Sequence, residues 1–139
     1  MRWLVWLWPF GRQYEIRMLN RDAPYIIADA TERFSDDRLG QMANATRAYI
    51  ESAHENLSRP NFEIDNVIPH YQSLHRDARK KREDTALSAL TLVIIYLRAQ
   101  KHPDGCDPAL AAIQSFVDEW SNDSEDEAGS AGSIGRMEA

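Results

Sequence analysis

Apolar residues recur with a helical period over most of this chain. In "SDDRLGQMANATRAYIESAHENLSRP", Leu39, Met42, Ala43, Thr46, Ile50, Ala53 and Leu57 fall on one face. Ser35 supplies an N-cap, Asp36 and Asp37 suit the positive end of the helix dipole, and Pro60 stops it, so the pattern predicts a helix over 36–58. Upstream, "DAPYIIADATERF" predicts a shorter helix capped by Asp22, with Pro24 in its first turn and Ile26, Ile27, Ala30 and Phe34 on one side. Near the other end, Asp107 followed by Pro108 opens a stripe of Leu110, Ile113, Phe116, Val117 and Trp120, which predicts a helix over 108–120.

Between Pro69 and Pro103 the pattern changes character. Ala86 to Leu97 is apolar on nearly every side, as a helix enclosed by others must be, whereas His75 to Asp84 is almost wholly polar. The segment is either one helix over 70–101, about 50 Å long at ~1.5 Å rise per residue with its polar half projecting as an arm, or two helices breaking near Asp84. The absence of an interrupting Gly or Pro favours the continuous helix.

The first twenty residues are ambiguous in period. Trp8-Pro9-Phe10-Gly11 suits a β-turn, and Tyr14, Ile16 and Met18 alternate with Gln13, Glu15 and Arg17, which is a hairpin pattern. The competing pattern is a short interfacial helix, Met1 to Trp8, ended by Pro9. The expected fold is therefore all-α: a small bundle of four or five helices with a long central helix, a Trp-rich N-terminal segment and an acidic C-terminal tail. The regions expected are 1–21, a cationic contact segment; 22–120, the helical domain; and 121–139, a disordered tail short of large apolar residues.

Composition narrows the class. The 139 residues are 43% hydrophobic and 27% charged, an ordinary balance for one soluble domain. The formal net charge of -6 is uneven: Asp123, Glu125, Asp126, Glu127 and Glu138 against Arg136 leave -4 in the tail. Arg2, Arg12, Arg17 and Arg21 against Glu15 make the first 21 residues basic. The single cysteine, Cys106, excludes an intramolecular disulfide and fits a reducing compartment. The run "WLVWLWPF" is too short to span a bilayer and no A-x-A cleavage pattern follows it, so a cytoplasmic protein, at most peripheral to a membrane, is expected.

Candidate chemistry is sparse. Glu51-x-x-His54 has the spacing of a di-iron bundle motif, but that architecture needs a second copy, and the other histidines have Val67, Gln72 and Ala99 three residues upstream. No cofactor and no metal are expected, with Glu51 and His54 kept as the minor metal alternative. The basic cluster Arg76, Arg79, Lys80, Lys81 and Arg82 is expected to neutralise itself through i,i+4 pairs with Asp77, Glu83 and Asp84, which disfavours direct nucleic-acid binding. What remains is contact. The expectation is a non-catalytic interaction module, an adaptor, inhibitor or accessory subunit, whose partner is another protein or a second copy of the chain. It would use Trp3, Trp6, Trp8, Phe10, Arg2 and Arg12, and a polar arm of His70, His75, Arg76, Arg79, Lys80 and Arg82. The first alternative places the indoles and arginines on an anionic membrane surface. The second is a metal-dependent helical-bundle enzyme using Glu51 and His54.

Overall fold

The computed structural model describes residues 8–60 and 63–121, with the side chains of Trp8, Pro9 and Phe10 also outside the description. Trp3, Trp6, Arg2 and the acidic tail beyond Ser121 therefore lie outside the described residues. Five helices follow one another: α1 (Trp8–Arg33), α2 (Asp36–Leu57), α3 (Ile64–Lys80), α4 (Asp84–Ala99) and α5 (Asp107–Trp120). The described residues hold no strand.

Helix α1 corrects two expectations. The stretch 13–19 is helical rather than one arm of a hairpin, and Pro9 stands in a first turn rather than ending a helix. A proline there removes an N–H that would have no intrahelical acceptor. Nor does Asp22 open a new helix: α1 runs for 26 residues with Pro24 inside it. An interior proline costs about 3 kcal/mol. It is offset by burial on both sides of it: Leu19, Ala23, Ala30 and Phe34 lie in the core, while the Pro24 ring faces solvent.

Helix α2 forms as the sequence predicts. Ser35 Oγ accepts the Arg38 amide at 3.3 Å, and Leu39, Met42, Ala43, Thr46 and Ala53 are buried. The buried Thr46 hydroxyl donates to Met42 O at 2.7 Å, so its polar atom is satisfied inside the core. The predicted 70–101 helix is instead two. The chain turns back after Lys80, where the amide of Glu83 donates to Ala78 O at 3.0 Å and that of Arg82 to Arg79 O at 3.1 Å. This is the Schellman pattern, which requires a left-handed residue, and Arg82 supplies it with φ 58°. The central helix α4 is consequently 16 residues long, shorter than α1. The reason for the fold-back lies in α3 itself: Val67, Ile68, Tyr71 and Ala78 form an apolar stripe that is buried mainly against α4, with Tyr71 also on Tyr49 of α2.

Helix α4 serves two apolar clusters. Ala89, Leu92, Ile95 and Ala99 face α1, α2 and α5, and Leu90, Val93 and Leu97 face α3 and the second half of α2. Helix α5 begins at Cys106, whose side chain makes no cap. Its cap comes from 89 residues away: Asn20 Oδ1 accepts the Ala109 amide at 3.1 Å while Asn20 Nδ2 donates to Gly105 O at 2.8 Å. Gly105 passes so close to α1 that a Cβ there would lie 2.9 Å from Ile16 Cδ1.

Candidate functional site: an open groove over the central helix

Helices α1 and α3 both pack on α4 but barely touch each other. Between them α4 is only partly covered along Thr91, Ile94 and Arg98, residues that share a face at spacings of three, four and seven. The result is an open groove of about 940 Å³. Tyr14, Met18, Leu19 and Ile26 of α1 form one wall, and His75 of α3 stands on the other. Helix α1 runs antiparallel to α4: Glu15 meets His102 beyond the end of α4, and Arg38, just past the α1–α2 turn, donates to Thr85 Oγ1 near its start at 3.1 Å.

Most polar groups of the groove are already committed. Glu15 accepts from His102 Nε2 at 3.2 Å, Lys101 pairs with Asp65 at 2.7 Å, and Asp22 pairs with Arg21 at 3.1 Å. The Thr91 hydroxyl donates to Leu87 O at 2.8 Å, so in its 3.1 Å bond to His75 Nε2 the imidazole is the donor. Burial, then the neighbouring Arg79 guanidinium, push the His75 pKa below its ordinary value. Arg12 and Arg98 differ: among the described residues neither guanidinium has an ion pair or hydrogen bond, and Arg98 is half-buried beside Ile94 and Ile95.

The residues singled out by sequence fall in several places. Arg12 lines the groove at its Lys101 end. The segment expected to project as an arm is packed as α3, with His75 turned inward onto Thr91. His70 is exposed, its ring 5.0 Å from that of Tyr71. Arg76, Arg79, Lys80, Lys81 and Arg82 are exposed at the α3–α4 end, and the predicted i,i+4 pairs are absent among the described residues. The break at Arg82 interrupts the helical register that Arg79–Glu83 and Lys80–Asp84 would need.

Glu51 and His54 are each engaged with another side chain. Glu51 pairs with Arg47 at 3.3 Å, and His54 shares a 2.7 Å hydrogen bond with the Tyr96 hydroxyl on α4. The described residues hold no group of three or more His, Cys, Asp or Glu able to hold a metal ion. Cys106 is a buried free thiol whose pKa is raised by burial first, then by Glu15 and Asp107. Among the described residues no helix is long and apolar enough to cross a membrane.

Sequence reasoning missed the groove residues Tyr14, Met18, Thr91, Ile94 and Arg98. One signal was available. Arg98 is the sole charge between Thr85 and Gln100, and Thr91 lies seven residues before it, which marks one polar-edged face on an otherwise apolar helix. Comparison of the chain with known protein families, with curated proteins and with solved structures finds no match.

Proposed function

We propose that this protein is a non-catalytic protein-interaction module that receives an amphipathic helical segment of a partner in the groove between α1 and α3. The observation that carries the reading is the partly covered face of α4. A helix apolar all round is stable when enclosed, and here the sector of Thr91, Ile94 and Arg98 is left only partly covered. From Gly11 to Ile26 the groove follows α1 for about 22 Å, or four helical turns. That length suits a docked helix contributing anchors at i, i+4 and i+7. The commitment of Glu15, Lys101 and His75 to internal partners favours recognition over chemistry. The aromatic residues Trp3, Trp6, Trp8 and Phe10, which precede Gly11 in the sequence, are included in the same contact reading on their residue types alone.

The test is a selection of binders from a library of helical peptides displayed against the full chain, followed by chemical-shift mapping. Shifts centred on Met18, Ile26, Thr91 and Ile94 are expected, with binding lost in Ile94→Arg and in Met18→Glu while both variants keep a native circular-dichroism spectrum. Binders that map elsewhere would overturn the groove as the contact face. Preferential binding of phosphatidylglycerol vesicles, with shifts in the same residues, would replace the protein partner with a membrane.

A further inference from the structure

Resting on the interaction reading, we infer that the helix received by the groove is acidic, and that a carboxylate one turn beyond its apolar anchors pairs with Arg98. The charges along the groove decide the sign. Glu15 is held by His102, Asp22 by Arg21, and Lys101 by Asp65, so the charges left without a partner among the described residues are Arg12 and Arg98. Both are cationic. Arg98 is the more consequential, because it is half-buried against the apolar floor with no acceptor among the described residues.

A guanidinium in that position is matched by a carboxylate, which accepts two parallel hydrogen bonds in a fork geometry. Position along the groove follows from helix spacing. Arg98 lies four residues, about 6 Å, beyond Ile94, so a helix anchored over Ile94 and Met18 brings its next turn over Arg98. Arg12 lies at the same end as Lys101 and Glu15, so a second acid further along the docked helix finds a second cation. A basic helix would meet Arg98 and Arg12, while the acids of the groove, Glu15 and Asp22, are already hydrogen-bonded to His102 and Arg21. The chain's own acidic stretch, Asp123 to Glu127, carries the charge but no apolar anchor, so it is not the complement of this groove.

The experiment uses the full chain and three synthetic helical peptides with one apolar face, differing at the rim positions as Glu, Gln or Lys, with affinity read by fluorescence anisotropy. The Glu peptide is expected to bind at least about tenfold more tightly than the Lys peptide, the ratio that ~1.4 kcal/mol gives, and to weaken as salt is raised. In Arg98→Glu the preference should invert, and in Arg98→Gln it should shrink. Equal affinities, or a Glu preference that survives Arg98→Glu, would overturn the acidic partner. If those peptides still lose binding in Ile94→Arg, the groove itself stands. Failure of every peptide to show Ile94-dependent binding would remove the groove reading and this inference with it.

Discussion

Arg82 is the residue whose backbone the fold holds furthest from its own preference. Its φ of 58° is a left-handed conformation that costs a residue with a Cβ about 1–2 kcal/mol and costs glycine almost nothing. Arg82→Gly should therefore raise stability by about 1 kcal/mol, which thermal melting would show as an increase of several degrees. Arg82→Val should lower it. Asn20 predicts the opposite sign. Its side chain satisfies both Gly105 O and the Ala109 amide, so Asn20→Ala leaves two backbone groups without partners and should cost about 2 kcal/mol in a urea titration. For His75, folding favours the neutral imidazole, because its folded pKa lies below the ordinary value of 6.5. The unfolded chain then binds the proton more readily. The contribution is fully present above about pH 6.5 and is lost as pH falls through the lower folded value. His75→Gln should flatten that part of the stability profile.

Helices differ in how openly their sequences declared them. Ser35 with Asp36 and Asp37, and Asp107 with Pro108, are local signals that act within one turn, so α2 and α5 read correctly to within a residue. Two other boundaries depend on distant residues. Pro24 resembles a helix start until Leu19 and Ala23 are seen buried before it, and the alternation around Tyr14 to Met18 is short enough to fit either period. The α3–α4 break carries no glycine, since Arg82 occupies the left-handed position. The groove was illegible for a related reason: the pattern of α4 says that it is enclosed, but not that one sector is left to α1 and α3 without being closed. The enclosure itself makes a firm prediction. Leu92 is fully buried, so Leu92→Asp would place an unpaired carboxylate in the core at a cost of several kcal/mol, comparable to the whole stability of a small domain. The variant is expected to be unfolded by circular dichroism at 25 °C.

At the scale of the whole molecule, α4 divides the bundle unequally. Three helices cover one side of it, and the other rests mainly on α3, which touches α2 only lightly. Local opening should begin where fewest contacts hold. Native-state hydrogen exchange is expected to show amides of α3, such as Val67 and Tyr71, exchanging through a partial opening, while Leu92 and Val93 exchange only on global unfolding. Equal protection of α3 and α4 would contradict that order. The long-range cap on α5 also bears on how the chain is made. The residue that completes the cap, Asn20, leaves the ribosome about 90 residues before the helix end it caps, an interval of roughly 5–20 s at ~5–20 residues per second. Until then the inner face of α1, with Leu19, Ala23 and Ala30, has no α5 to cover it. The nascent protein thus passes through a stage in which its longest helix offers a bare apolar stripe to any chaperone within reach.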